Sequence, residues 1–480
     1  MDTNKAIAKG MFWKLLERFG VSGGQFILQL VLARILDPEH YGTLAMMVIF
    51  TTLAKVFVER GFNTALVQNK DVTEEDYSSV FWINMLIAVS LYIVLFFAAP
   101  WIAKVYEMPD IVLPFRVLAL MLLPGALNSI QIAKISRDMD FKKVFTSNVL
   151  GIVVSGIAGI IIAMNGGGLW ALVVQTFLNV VVTCIVMSFT VKLKIRFICN
   201  FKRVKVLFAF GWKLLVSALV DTLYQDVYSL VIGLKYNSET LGFYSRGKQF
   251  PQFLGNVINN SISSVMLPVM SKKQDNTNDL KKLMRRSISV SAYIIFPMMA
   301  GLAAVARPLV IVLLTEKWLL CVPYMQLYCF NYAFQPVHLC NLQAINAMGR
   351  SDIYLKLEFI KKSYGIVFLA LAVICFDSPI VIAMTGLITT WIGWFVNSYP
   401  NKHLVGYSYF EQIVDVLPSF ILSIIMFGVV LWVGTINMNV YLLLVLQIIV
   451  GVLLYVIGSF VLRVEPFTYL LKQIKQFRKG

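Results

Sequence analysis

The sequence predicts an all-α polytopic membrane protein of about fourteen transmembrane helices, with two six-helix lobes related by an internal repeat and two further C-terminal helices. Three observations predict it. Of the 480 residues, 59% are hydrophobic and the mean hydropathy is +0.76, well above the apolar share of a water-soluble domain. Apolar runs of membrane-spanning length recur along the whole chain. Short pieces of the first half return in the second half in the same order.

The runs place spans at residues 11–33, 43–65, 78–103, 111–133, 144–164, 169–190, 208–234, 241–270, 287–314, 320–345, 354–376, 379–400, 411–434 and 439–462. The first carries Lys14, Glu17 and Arg18 with no small-residue cleavage site, so it is expected to be a retained helix rather than a signal peptide. The repeat pairs Trp13-Lys14-Leu15-Leu16 with Trp212-Lys213-Leu214-Leu215, and Glu39-His40-Tyr41-Gly42 with Glu239-Thr240-Leu241-Gly242. It also pairs Ala99-Pro100-Trp101 with Arg307-Pro308-Leu309, each expected to close a span, and Ile135-Ser136-Arg137-Asp138 with the run Met348 to Asp352. Residues 1–199 and 200–405 are therefore read as the N-terminal and C-terminal lobes, and 406–480 as two added helices with a basic tail.

A net charge of +17 in a soluble chain would suggest nucleic acid, but here the basic residues gather in alternate loops, so no nucleic-acid partner is expected. The basic loops include Lys192, Lys194, Arg196, Lys272, Lys273, Lys281, Lys282, Arg285 and Arg286, whereas the opposite loops offer little beyond Arg34, Lys104, Lys235 and Lys317. This asymmetry predicts both termini in the cytoplasm. One loop departs from it, with Asp71, Glu74, Glu75 and Asp76 outweighing Lys70. Residues 191–207 are expected to link the lobes as a surface helix on anionic headgroups, a solvated basic loop being the alternative. The outer connections, such as Asn165-Gly166-Gly167-Gly168, are turns too short for an external domain.

Polar faces mark the candidate site. Lys213, Ser217, Asp221, Tyr224 and Tyr228 share one face of the seventh span, and the repeat sets Lys14, Arg18, Ser22, Gln25 and Gln29 opposite them. Ser245, Gln249, Gln252, Asn256, Asn259 and Ser263 form a second stripe on the eighth span. Polar groups in hydrocarbon are costly unless they meet water or protein, so the stripes predict a shared water-filled cavity, with helix–helix hydrogen bonding as the plainer account of any one residue. The second span adds Thr52, Lys55, Glu59 and Asn63, with Arg60 adjacent. Lys55 lies too deep to reach the headgroups, and Glu59 is placed to pair with it; Glu358 and Lys362 are expected to pair in the eleventh span. Arg246 and Lys248 form a matching basic cluster in the second half.

The chain lacks a nucleotide-binding glycine loop, a zinc-protease helix motif and a nucleophile arrangement around His40, His338 or His403. Six scattered cysteines have no ligand spacing, so neither disulfides nor a metal site are expected. A transporter without a cofactor is favoured over an enzyme. A membrane glycosyltransferase or polymerase would want a large acidic outer loop, which the sequence does not offer.

Several runs resemble a known family. They are Ala33-Arg34-Ile35-Leu36-Asp37-Pro38-Glu39-His40-Tyr41-Gly42, Arg60-Gly61-Phe62-Asn63-Thr64-Ala65-Leu66-Val67-Gln68, Phe81-Trp82-Ile83-Asn84, Leu241-Gly242-Phe243-Tyr244-Ser245-Arg246, Leu267-Pro268-Val269-Met270-Ser271 and Asn346-Ala347-Met348-Gly349-Arg350-Ser351-Asp352. Their order is similar to the O-antigen and colanic-acid flippase branch of the multidrug/oligosaccharidyl-lipid/polysaccharide superfamily. The resemblance implies a two-lobed bundle around a central cavity in the bacterial inner membrane. It would open alternately to the two faces and move a polyprenyl-diphosphate-linked oligosaccharide outward, beside membrane lipids and polysaccharide polymerase machinery. Diphosphate calls for Lys or Arg and sugars for amides, hydroxyls and aromatic faces, so Lys55, Arg246, Lys248, Arg18, Arg60, Lys213, Gln25, Tyr224, Tyr228, Gln252 and Asn256 are the expected substrate contacts. Asp221 and Glu59 are the expected coupling carboxylates for protons or sodium. A cation-coupled drug antiporter on the same scaffold is the rival reading, and it would want a more acidic cavity.

Overall fold

The computed structural model describes residues 13, 16–68, 71–198, 200–273 and 276–477, with no strand among them. The chain falls into two compact units, Met1–Gly242 and Phe243–Gly480. In the first, a π-turn at Glu17–Val21 leads into α1 (Ser22–Ile35). There follow α2 (Pro38–Glu59), α3 (Gly61–Gln68), α4 (Glu74–Val105), α5 (Val112–Ala119) and α6 (Leu122–Asp138). After these come α7 (Phe141–Met164), α8 (Leu169–Thr190) and α9 (Phe201–Lys235), and α10 (Ser238–Ser271) then begins. The second unit continues with α11 (Thr277–Ala304), α12 (Ala306–Leu314), α13 (Val322–Ala333), α14 (Gln335–Ala347) and α15 (Ser351–Cys375). It closes with α16 (Pro379–Leu404), α17 (Tyr409–Val433), α18 (Val440–Val461) and α19 (Glu465–Phe477).

Among the described residues, ten helical segments are long and apolar enough to cross a membrane. The other four expected spans are helical but fall short of that measure. The first keeps an apolar helix only over Phe19–Ile35. α10 carries the amide stripe, and α15 opens with Asp352, Lys356, Glu358, Lys361 and Lys362. The tenth is broken at Phe334, where Pro336 in the first turn of α14 removes a backbone donor and bars a continuous helix. The expected ninth span, 287–314, is likewise two helices, α11 and α12, parted at Val305.

In the first unit, α7 packs on α1 and α8, α6 on α2 and α4, and α9 along α2 and α3. Met47, Ile102, Phe115, Leu118 and Val173 form one of its cores. In the second, α11 is central, touching α13, α14, α17 and α19 over a core that includes Met284, Phe296, Phe334, Trp394 and Tyr407.

The repeat is visible in backbone geometry. Seven residues after Pro100 the chain turns through a left-handed Glu107 (φ 55°), and seven after Pro308 through a left-handed Thr315 (φ 84°). Each turn feeds a 3-10 segment, Pro109–Ile111 or Glu316–Cys321, and then a helix, α5 or α13. The prolines themselves do not close spans. Pro100 lies inside α4, and Pro308 sits in the first turn of α12, where a missing N–H costs nothing. Further on, α6 ends at left-handed Met139 and α14 at left-handed Gly349 (φ 54° and 72°). Asp140 N–H then donates to Ile135 O at 3.2 Å and Arg350 N–H to Ile345 O at 3.1 Å, the same closure in both halves. That register pairs Met139 with Gly349, three residues away from the sequence pairing of Arg137 with Arg350. The tightest echo is at the crossing of α2 with the start of α10. A Cβ on Gly42 would lie 1.6 Å from Ser238 O, and one on Gly242 would lie 2.1 Å from Pro38 O. Only glycine fits either place.

Residues 191–198 are irregular, with bends at Val191 and Phe197, and do not form the expected surface helix. They lie on the start of α4. Arg196 N–H donates to Ser78 Oγ at 3.0 Å, Asn200 N–H to Ser79 Oγ at 2.9 Å, and Trp82 Nε1 to Arg196 O at 3.0 Å, while Phe197 stacks on Trp82 at 4.1 Å. The acidic loop is thereby explained. Asp76 accepts from Thr73 N–H (2.8 Å) in a capping box and pairs with Arg203 (2.7 Å), and Arg203 also donates to Asp71 O (3.0 Å). Arg196 approaches Glu74 at 3.9 Å. These carboxylates anchor the linker, so they offset its charge locally.

Candidate functional site

The expected pair on α2 forms: Lys55 Nζ lies 3.4 Å from Glu59 Oε1. Both side chains are open, at 43% and 31% exposure, and such a pair stabilises by at most about 1 kcal/mol. An intramembrane cation costs on the order of 3 kcal/mol, so stability alone does not account for Lys55. Lys55 also borders a small cavity with Val58, Met121, Gly125 and Val180. The polar face ends sooner than its spacing implied. The helix breaks at Arg60, which is exposed, and Asn63 belongs to α3.

On α9, Lys213 and Ser217 are exposed, whereas Asp221, Tyr224 and Tyr228 are half-buried. Gln25 on α1 is half-buried too. Lys14 and the side chain of Arg18 lie outside the described residues.

In the second unit the α10 stripe is divided. Arg246 is 4% exposed, donates to Gln249 Oε1, and holds its guanidinium 5.8 Å from the Trp318 ring. Lys248 is half-buried with Nζ 5.8 Å from the Tyr328 ring, and Tyr328 shares a hydroxyl hydrogen bond with Tyr244. Gln252 is half-buried and Asn256 exposed, while Asn259 donates to Gln335. The structure therefore assembles Lys55 with Glu59 in one unit, and Arg246 with Gln249 beside Lys248 and Tyr328 in the other.

Two further features were not foreseen from the sequence. A buried amide network joins α14, α16 and α17. Asn341 Nδ2 donates to Gln412 Oε1 (2.9 Å), Gln412 Nε2 and Asn401 Nδ2 donate to Asn341 Oδ1 (3.0 and 2.8 Å), and Trp394 Nε1 donates to Gln412 Oε1 (3.1 Å). The i,i+4 spacing of Asn397 and Asn401 was its visible signal; Asn397 meets His338 Nδ1 at 3.1 Å. Nearby, Glu358 pairs with Lys361 at 2.5 Å, one residue short of the expected Lys362. The second feature is an apolar cavity of about 440 Å³ between α11, α12, α17 and α18, lined by Pro297, Leu302, Leu309, Met426, Ile448 and Val452 among others.

Long apolar helices broken at prolines and carrying polar faces define a polytopic transporter fold. Its likeness extends to solved structures: a lipid II flippase MurJ in an inward closed conformation superposes with a TM-score of 0.78 at 16% identity, over 94% of this chain and 98% of that one. An inward-facing multidrug resistance MATE transporter superposes at 0.59 and 14% identity, over 84% and 95%. The chain belongs to the polysaccharide biosynthesis protein family, whose profile matches residues 31–323. It is 24% identical to the teichuronic acid biosynthesis protein TuaB of Bacillus subtilis, over 94% of each chain. It is 23% identical to the lipopolysaccharide biosynthesis protein WzxC of Escherichia coli, over 87% of this chain and 83% of that one. The match to the succinoglycan biosynthesis transport protein ExoT of Rhizobium meliloti, at 24% identity, spans 65% of this chain and 64% of ExoT. The protein is thus a multi-pass transmembrane transporter of polysaccharide biosynthesis.

Proposed function

We propose that the chain is a flippase. It carries polyprenyl-diphosphate-linked oligosaccharide outward across the bacterial inner membrane by alternating access, with both termini in the cytoplasm. The observation that carries this reading is Lys55, an exposed cation on a membrane-length helix that its single surface ion pair does not explain. A phosphate arriving there would replace Glu59 as its partner. Within the first unit the half-buried Tyr224 and Tyr228 offer rings to sugars; within the second, Lys248 beside Tyr328 offers a cation and the half-buried Gln252 an amide. The apolar cavity of the second unit suits an isoprenoid chain. Asp221, half-buried on α9, is the coupling carboxylate of this reading, with protons or sodium as the driving ion.

The test is complementation of an exporter-deficient strain, with lipid-linked intermediates measured on the inner side. Lys55→Ala and Lys248→Ala are expected to leave protein levels normal and to cause intermediates to accumulate. Lys55→Arg should retain part of the export, because the charge is kept. Normal export by both alanine variants would sink the cationic site. Unchanged pH dependence in Asp221→Asn would remove the coupling role alone.

A further inference from the structure

We infer that the second unit holds an anion-binding cavity, framed by α11, α17 and α19, which takes the phosphate of an anionic phospholipid headgroup. The cavity is open, of about 330 Å³, at the small end of ligand pockets, and Lys282, Arg285, Arg286, Asp415, Glu465 and Tyr469 line it. Its charges are unequally committed. Arg285 forks onto Asp415, Nε to Oδ2 at 2.8 Å and Nη2 to Oδ1 at 2.5 Å, and Tyr407 donates to Oδ2 at 2.7 Å. That bidentate pair is satisfied within the protein. Arg286 lies 4.6 Å over the Tyr469 ring, a contact that fixes the guanidinium yet offers it no oxygen acceptor. Lys282 makes no ion pair among the described residues. Two cations thus face the cavity with Glu465 as the remaining carboxylate.

The level of the cavity selects the source of the anion. α11 is basic up to Arg286 and largely apolar over 288–304, so these cations mark the border between span and polar end. The opposite wall, α19, packs the half-buried Phe467 and Leu470 against the unit's core while Leu471 and Lys472 stay exposed, the pattern of a helix lying in the headgroup plane. Lipid phosphates occupy that plane, and basic residues there attract anionic lipid.

Native mass spectrometry of the full chain released from phosphatidylcholine nanodiscs containing phosphatidylglycerol tests this. The wild type should retain one phosphatidylglycerol. Lys282→Ala/Arg286→Ala should hold it roughly tenfold more weakly, whereas Lys192→Ala/Lys194→Ala, an equal charge loss outside the cavity, should retain it as the wild type does. Tyr469→Leu keeps both cations and should give an intermediate loss, which preserves the test if the double variant folds poorly. Equal retention by wild type and double variant overturns the site. Displacement by millimolar inorganic phosphate overturns the lipid assignment in favour of a soluble anion. Displacement by equimolar polyprenyl diphosphate assigns the cavity to the transported class instead.

Discussion

Lys55 and Arg246 are both cations on long helices, yet their surroundings set different tasks. Lys55 is open, with one surface ion pair, and its loss should leave the fold intact. Arg246 is 4% exposed between Gln249 and Trp318, so Arg246→Ala should cost about 2 kcal/mol and lower the protein's thermal midpoint before any effect on export is considered. Arg246→Lys should not restore it, since an ammonium neither stacks nor forks as a guanidinium does. A midpoint unchanged in Arg246→Ala would show that these contacts carry no stability. Thr315 offers the opposite case. A β-branched residue at φ 84° and ψ 170° is in a region that glycine alone adopts easily, at a strain of order 1–3 kcal/mol. Glycine's entropy in the unfolded chain recovers less than that, so Thr315→Gly should raise the midpoint, and a fall would show that the threonine side chain holds the turn by itself.

At the scale of elements, what was legible depended on how local the cause was. Helices with uninterrupted apolar runs, such as α7, α8 and α18, lie close to where the runs put them. The break at Phe334 and the start of α9 at Phe201 were missed because proline position and linker contacts, not hydropathy, decide them. The linker is the clearest example. Its basic residues read as a surface helix, but the partners that hold it in its irregular path, Ser78, Ser79 and Trp82, lie more than a hundred positions away. Asp76 is the keystone of that attachment. Asp76→Ala removes a cap worth about 1 kcal/mol together with the Arg203 pair. In detergent, trypsin should then cut faster after Lys192, Lys194 or Arg196; unchanged cleavage would mean that the two serines suffice. The repeated turn before α15 is pinned differently. Arg350 forks onto Asp352 at 3.0 Å and holds its carboxyl down at about 2, so this contact persists across the neutral range and fades only as pH falls through that value. Any pH dependence of transport near neutrality must come from elsewhere.

For the whole molecule, the alternation of basic loops predicts which ends of the helices share a face of the membrane. Thiol labelling in intact cells checks it, in a Cys375→Ser background because Cys375 is exposed. Asn165→Cys and Asp377→Cys should react with an impermeant reagent from outside, and Lys194→Cys and Lys273→Cys only after the inner face is opened. These positions are chosen over Gly167, where a Cβ would meet Ile162 at 2.4 Å, and over Asn200 and Asn276, whose side chains cap α9 and α11. Labelling of Lys273→Cys in intact cells would overturn the topology. The cationic and amide stripes were readable because i,i+4 spacing is a property of one helix. The amide network of Asn341, Asn401 and Gln412 was not, because it joins three.

The crossing of α2 and α10 also says something about descent. Two copies of a duplicated segment normally diverge wherever side chains can exchange bulk with their neighbours. At Gly42 and Gly242 neither copy has that liberty, because each glycine faces the other helix's first carbonyl, four residues before its counterpart. A methyl gained by one cannot be absorbed by a change in the other, since the obstacle is backbone. The ancestry of this chain is therefore spelled most clearly in the letters its own geometry will not let drift.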